Sequence, residues 1–220
     1  MEDNTPNGYY PIVIQLKGRH CLVVGGGRVA ERKLRGLVEA GADRVSVISP
    51  EGTSYIKEMA DRGRIHWQRK RFQRADLTGV SLVIAATDQN EINEEITGEA
   101  EKLGILSSNA GSGVKGSFIT PSVMRRDELL IAVTTSGASP SLSILIKKEL
   151  EDRYGDRYLG VMRRLRQLRK LVIALVEDET LKEAILLQAA KEAMDTAFDS
   201  MNAQDWMNSL LERMNGRQHK

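Results

Sequence analysis

The stretch His20-Cys21-Leu22-Val23-Val24-Gly25-Gly26-Gly27-Arg28-Val29-Ala30 sets the reading of everything around it. Its first half is a short apolar run rich in β-branched residues. Its second half is three glycines and the opening of a helical segment, Val29 to Ala40, that stops at Gly41. Strand, glycine turn and helix in that order fit G-x-G-x-x-G/A, with Gly25, Gly27 and Ala30 in the small-residue positions. Small residues are needed there for a tight turn, for close approach of backbone to a pyrophosphate, and for close helix–strand packing. The N–H groups of the first helical turn then face the phosphates. Gly25, Gly26, Gly27, Arg28, Val29 and Ala30 are therefore candidate dinucleotide-binding residues. The alternative is a tight turn that needs glycine for its conformation alone.

Working outward, the same alternation repeats. Arg44 to Ser49 reads as a second strand closed by Pro50, residues 53–63 as a helix, and Arg64 to Gln68 as a third strand. Val80 to Ala86 is nearly continuous in apolar residues, as expected of a sheet covered on both faces. Glu91 to Leu103 reads as a helix and Ile105 to Ser108 as a fifth strand. Strands alternating with helices of this length predict βαβ units and a Rossmann-like parallel sheet over residues 1–112. The pattern then changes. Phe118 to Val123 and Leu129 to Thr134 read as an antiparallel pair turning at Arg125-Arg126-Asp127-Glu128, followed by a helix from about Ser141 to Arg153. Residues 153–220 carry no strand signal. Val161, Leu165, Leu168, Val172 and Leu175 make one helical stripe, and Glu179 to Phe198 and Gln204 to Met214 two further helices. The expected architecture is a Rossmann-like α/β domain (1–112), a strand-containing segment (113–152), which the resemblance given below implies is a dimerisation segment, and a small all-helical C-terminal domain (153–220).

Composition narrows the function. With 41% hydrophobic and 28% charged residues in 220, the chain can bury a core and is not disordered. One cysteine, Cys21, excludes a disulfide framework, and three scattered histidines (His20, His66, His219) form no ligand pair, so no resident metal is expected. His20 and His66 neighbour strands and read as structural. No apolar run of about 18 residues exists, so no membrane span is expected. The opening MEDNTPNGYYP lacks the chemistry of a secretory signal, which makes the cytoplasm the expected location. A net charge of +2 gives no argument for nucleic acid.

Two further places carry chemistry. Past the second strand, Ser49-Pro50-Glu51 offers one carboxylate, Glu51, for the adenine ribose, and no arginine follows at once to welcome a 2′-phosphate, which favours NAD over NADP. Past the fourth strand, Thr87 and Asp88 sit where the strand ends face the ligand crevice. Asp88 either lines the nicotinamide side or caps the helix that starts near Asn90. Lys115, Arg125 and Arg126 are candidate cationic partners for an acidic substrate. The arginines between Arg153 and Lys170 read either as further substrate contacts or as a solvated face.

Gly25-Gly26-Gly27-Arg28-Val29-Ala30-Glu31-Arg32-Lys33, Ala85-Ala86-Thr87-Asp88 and Ser136-Gly137-Ala138-Ser139-Pro140, in that order and spacing, resemble the siroheme synthase amino-terminal module. The likeness is close over residues 9–152. It implies precorrin-2 dehydrogenase activity, in which NAD oxidises the tetrapyrrole precorrin-2 to sirohydrochlorin, and in some members insertion of ferrous iron. It also implies a homodimer that exchanges the segment matching about 113–150. Arg28 and Val29 match positions that meet the pyrophosphate, Pro50 and Glu51 those at the adenosine end, and Thr135 a serine phosphorylated in some members. One position departs. The family's aspartate, implicated in dehydrogenation and metal insertion, falls on Gly111 or Ser112, and no aspartate occurs between Asp88 and Asp127. No catalytic residue is assigned on this basis. Dehydrogenation with weak or absent metal insertion is the expected activity. A non-catalytic NAD-binding dimer, acting as a sensor or pathway partner, is the alternative.

Overall fold

A computed structural model describes residues 8–111, 116–195 and 201–215. The chain divides into two compact units: residues 1–121 with 135–139, and residues 122–134 with 140–220.

The first unit is built on β1 (His20–Val24), β2 (Arg44–Ile48), β3 (His66–Gln68), β4 (Leu82–Ala85) and β5 (Leu106–Asn109). These form one parallel sheet in the order β3-β2-β1-β4-β5. The period of two along each strand sorts side chains to opposite faces. Cys21 and Val23 of β1, with Leu82 and Ile84 of β4, join one core; Leu22, Val24, Val83 and Ala85 join the other. Both faces are covered, which is why β4 reads as an unbroken apolar run. The first core is closed by α1 (Arg28–Glu39) and α2 (Ser54–Asp61), the second by α3 (Asn90–Lys102). In α1, Ala30, Leu34 and Leu37 recur at intervals of four and three and are the buried positions. Leu34 is fully buried, so Leu34→Ala would cost about 2–5 kcal/mol. The register pairs Val24 with both Ile48 and Ala85, so three strands end level and their loops meet at one edge.

The second unit holds an antiparallel hairpin, β6 (Ser122–Arg126) and β7 (Leu129–Val133), and the helices α4 (Pro140–Arg153), α5 (Arg157–Leu175), α6 (Glu179–Met194) and α7 (Ala203–Asn215). Leu168 and Val172 of α5, Ile185 and Ala189 of α6, and Trp206 and Leu210 of α7 share its core.

Two expectations are corrected here. The strand read as Phe118–Val123 starts only at Ser122 and runs to Arg126, with Asp127 at φ 55° making the turn. Pro121 has no N–H for a ladder, and the segment before it belongs to the first unit. There the Phe118 N–H donates to the Ser107 carbonyl at 3.2 Å and the ring packs against the sheet. On α5, Val161, Leu168 and Val172 are buried as the stripe requires, but Leu175 is 62% exposed and Val176 takes the inward place. The helix ends at Leu175, so its period no longer governs the next residue.

Candidate functional site

The loops at the carboxyl edge of the parallel sheet enclose a cleft of ≈ 950 Å³. It lies over β1, where the order turns from β2 on one side to β4 on the other, the usual ligand position in open α/β sheets. Gly25, Gly26, Gly27, Arg28, Val29, Ser49, Pro50, Glu51, Thr87 and Asp88 all line it. Ala30 does not. It is fully buried under α1 and meets the packing demand of the motif rather than touching a ligand.

The glycines divide the work. Gly25 has φ 127°, and a Cβ there would lie 2.2 Å from the Ala86 carbonyl oxygen. A Cβ on Gly26 would lie 1.7 Å from the Glu51 carbonyl oxygen. These two let the turn after β1 pass between the loops after β2 and β4. Gly27 meets nothing within 4 Å, so its missing side chain leaves space open. Gly27 is also the residue before α1, and no side chain caps that helix end. The first intrahelical bond runs from the Glu31 N–H to the Gly27 carbonyl, at 3.0 Å. The N–H groups of the first turn before Glu31 therefore have no partner within the helix. Unblocked amides, a positive helix end and absent side chains suit a pyrophosphate. The residues present thus fit a dinucleotide.

On the β2 side the loop is braced from beneath. Trp67 Nε1 donates to the Ser49 carbonyl (3.2 Å) and to Ser49 Oγ (3.0 Å), and the Thr53 N–H donates to the Gly26 carbonyl (3.1 Å). Thr53 also caps α2. Hydrogen bonds from Thr53 and Arg35 hold the Glu31 carboxyl below its ordinary value.

On the β4 side the brace is a buried asparagine. Asn93 of α3 has no exposed surface. Its Oδ1 accepts from the Thr87 N–H (3.0 Å) and Oγ1 (2.8 Å), and its Nδ2 donates to the Thr87 carbonyl (3.0 Å). The Gln89 N–H donates to Thr87 Oγ1 (3.2 Å), and α3 has no side-chain cap, so the helix-capping role open for Asp88 is not used. Gly111 completes this side. A Cβ there would lie 3.1 Å from Asn93 Nδ2, 3.2 Å from Asn90 Oδ1 and 3.3 Å from Asn109 Oδ1, so amides rather than charges surround it.

Sequence reasoning missed Lys70, Arg71 and Phe72, which line the cleft from the loop after β3. Applying the strand-end rule to β3 as well as to β1, β2 and β4 would have found them. Lys70 is ion-paired with Asp76 at 2.5 Å. Arg125 and Arg126 lie on β6 in the second unit, where Arg126 pairs with Asp156 at 3.1 Å. Arg163 pairs with Asp127 at 3.2 Å and Arg166 with Glu128, so two of the α5 arginines engage the hairpin turn. Lys115 and Ser112 fall outside the described residues. His20 sits at the far end of β1 from the cleft, with Nε2 2.9 Å from Ser46 Oγ. Burial and nearby Arg44 push its pKa down, which suits a neutral structural histidine.

A family model described as "Putative NAD(P)-binding" matches residues 12–122, just over half of the chain. Siroheme synthase of Photorhabdus laumondii is 41% identical over 143 residues, 65% of this chain and 30% of that protein. Siroheme synthase 2 of Aeromonas hydrophila is 34% identical over 210 residues, 93% of this chain and 44% of that protein. The chain thus spans about 30% to 44% of the length of these relatives. Among solved structures, SirC, a precorrin-2 dehydrogenase, superposes with a TM-score of 0.73 at 27% identity, covering 93% of this chain and 100% of that one. With the glycine loop, the cleft and the second unit all accounted for, the chain belongs to the NAD(P)-binding family of the siroheme synthase amino-terminal module.

Proposed function

We propose that the chain oxidises precorrin-2 to sirohydrochlorin with NAD, in the cytoplasm, as a step of siroheme synthesis. The observation that carries this reading is the likeness to SirC along that protein's whole length, joined to a cleft whose glycine loop suits a dinucleotide. The N–H groups of Arg28 and Val29 hold the pyrophosphate, with Gly25, Gly26 and Gly27 admitting it and Ala30 seating the helix. Ser49, Pro50 and Glu51 meet the adenosine. Thr87 and Asp88 line the nicotinamide half. The bound cofactor supplies a hydride acceptor, and the chain's own part is chiefly to hold and orient two partners. The Glu51 carboxylate lines the cleft where a 2′-phosphate would sit, and this favours NAD over NADP. Lys115, Arg125 and Arg126 are retained as candidate contacts for the substrate carboxylates.

Gly111 leaves the cleft without a carboxylate on that loop, and metal insertion needs a base to strip two pyrrole protons. Insertion of ferrous iron is accordingly weak or lost. The test is purified protein with precorrin-2 and NAD, followed by the absorbance of sirohydrochlorin. Sirohydrochlorin with cobalt or ferrous ion is the second arm. Oxidation without chelation above the protein-free rate is expected. A protein that binds NAD and leaves precorrin-2 unchanged would be the non-catalytic dimer instead.

The dimer is proposed through residues 113–152. Leu142, Ile144 and Leu145 of α4 are 47%, 57% and 64% exposed, beside a hairpin too small to be stable alone. Apolar side chains grouped this way favour a second copy as cover. Light scattering at micromolar concentration should give twice the chain mass, and a monomer there defeats the proposal.

A further inference from the structure

We infer that Asp88 is the proton acceptor of the dehydrogenation, a role that rests on the reading of the cleft as a precorrin-2 dehydrogenase site. The oxidation removes two hydrogens from the macrocycle. One leaves a ring carbon with both electrons of its bond, as hydride to the oxidised nicotinamide. The other leaves as a proton, and the electron pair it leaves behind becomes the new double bond. That proton needs a base within reach.

Among the described residues that line the cleft, two are carboxylates, Glu51 and Asp88, and none is histidine or cysteine. The lining lysine, Lys70, is held by Asp76. The two carboxylates stand on opposite sides of β1, Glu51 past β2 and Asp88 past β4. A dinucleotide laid across this point has its adenosine over one side and its nicotinamide over the other. With Glu51 at the adenosine, Asp88 shares the half in which hydride moves.

An independent observation concerns how Asp88 is held. Its loop is fixed on both flanks: Asn93 makes three hydrogen bonds to Thr87, and Thr87 Oγ1 accepts from the Gln89 N–H at 3.2 Å. Between those flanks Asp88 itself makes no hydrogen bond or ion pair among the described residues, and α3 does not use it as a cap. A buried amide thus orders an exposed carboxylate that neither the helix nor a cation engages. Exposure lets a captured proton pass on to water. Glu91, the next carboxylate, lies in the first turn of α3 and is not part of the lining.

The experiment compares single-turnover oxidation of precorrin-2 by wild type, Asp88→Asn, Asp88→Ala and Glu91→Gln, alongside NADH affinity read from its fluorescence. Asp88→Asn should lose at least about 100-fold in rate, within the range for removal of a positioned base. Its NADH affinity should stay within about twofold of wild type. Added formate should restore rate to Asp88→Ala and leave wild type unchanged, an effect no structural role would produce. Glu91→Gln should match wild type. A wild-type rate in Asp88→Asn overturns the inference alone, and so does a Asp88→Ala rate that formate does not raise. NADH affinity that falls in step with rate also overturns it, making Asp88 a cofactor ligand. A wild-type protein that does not oxidise precorrin-2 overturns the functional reading, and this role with it.

Discussion

The two units differ in the polar groups they bury. The first buries Ser46, Ser49, Asn93, Thr97, Ser107, Ser108 and Asn109; among the described residues of the second, only Ser143 is buried and polar. Both units also carry charged pairs near the surface: Arg35 with Glu31 and Arg74 with Glu95 in the first, Arg163 with Asp127 and Arg213 with Glu192 in the second. A buried polar group is costly unless hydrogen-bonded, so a fold keeps one where its orientation matters. In the first unit Ser49 and Asn93 are tied to the loops that line the cleft. The difference sets the cleft apart: buried amides and hydroxyls brace its loops, whereas ion pairs are common to both units.

The sharpest way to break this contrast is in the glycine loop. Gly27→Asp leaves the fold intact, since Gly27 has an ordinary φ of −83° and open space beyond it. It would set a carboxylate where the cofactor phosphates are proposed to lie, and calorimetry should show NAD affinity reduced at least tenfold, about 1.4 kcal/mol or more. Gly26→Ala should act differently, by distorting the loop against the Glu51 carbonyl and lowering the melting temperature. Unchanged NAD affinity in a folded Gly27→Asp protein would remove the loop from the site.

A smaller effect is expected at Glu192 in the second unit, where several polar groups converge on one carboxylate. Glu192 Oε1 accepts from Arg213 Nη1 (2.7 Å) and Gln188 Nε2 (3.0 Å), and Oε2 accepts from Trp206 Nε1 (2.8 Å). Burial alone would raise this carboxyl, but the bonds from Arg213, Gln188 and Trp206 outweigh it and hold it below its ordinary 4.5. A depressed folded value means the stabilisation is complete above that ordinary value and is lost as pH falls through the folded one. The helical unit, followed by Trp206 fluorescence, should therefore weaken on acidification below about pH 4.5, and Glu192→Gln should lessen that dependence. At neutral pH the same substitution should cost about 1–2 kcal/mol. An acid transition that is identical in the variant would show that Glu192 does not carry it.

The smallest effect belongs to the hairpin arginines. Arg163 is 71% exposed and its partner Asp127 34%. Arg163→Gln should shift stability by no more than about 1 kcal/mol, as exposed pairs do. The Michaelis constant for precorrin-2 should not change. A rise in that constant would restore the reading of the α5 arginines as substrate contacts.

Much of this was legible in the chain itself. The parallel sheet followed from β-branched runs alternating with helical segments, because periods of 2 and 3.6 are local properties of the backbone. The glycine loop was legible because only small residues satisfy its geometry, and Leu168 is buried where its spacing placed it. Contacts between distant segments were not. Spacing could not show that Asn93, six residues past Thr87, would fold back to lock it, nor that Lys70, Arg71 and Phe72 would reach the cleft from beyond β3. It placed a strand at Phe118, which the first unit claims, and left Asp88 between cap and cleft. The pairing of Arg163 with Asp127 joins residues 36 apart. Local pattern specifies which residues can form an element. Which polar side chains are engaged and which are left facing the cleft depends on packing between elements far apart in the chain, and only the tertiary structure decides that.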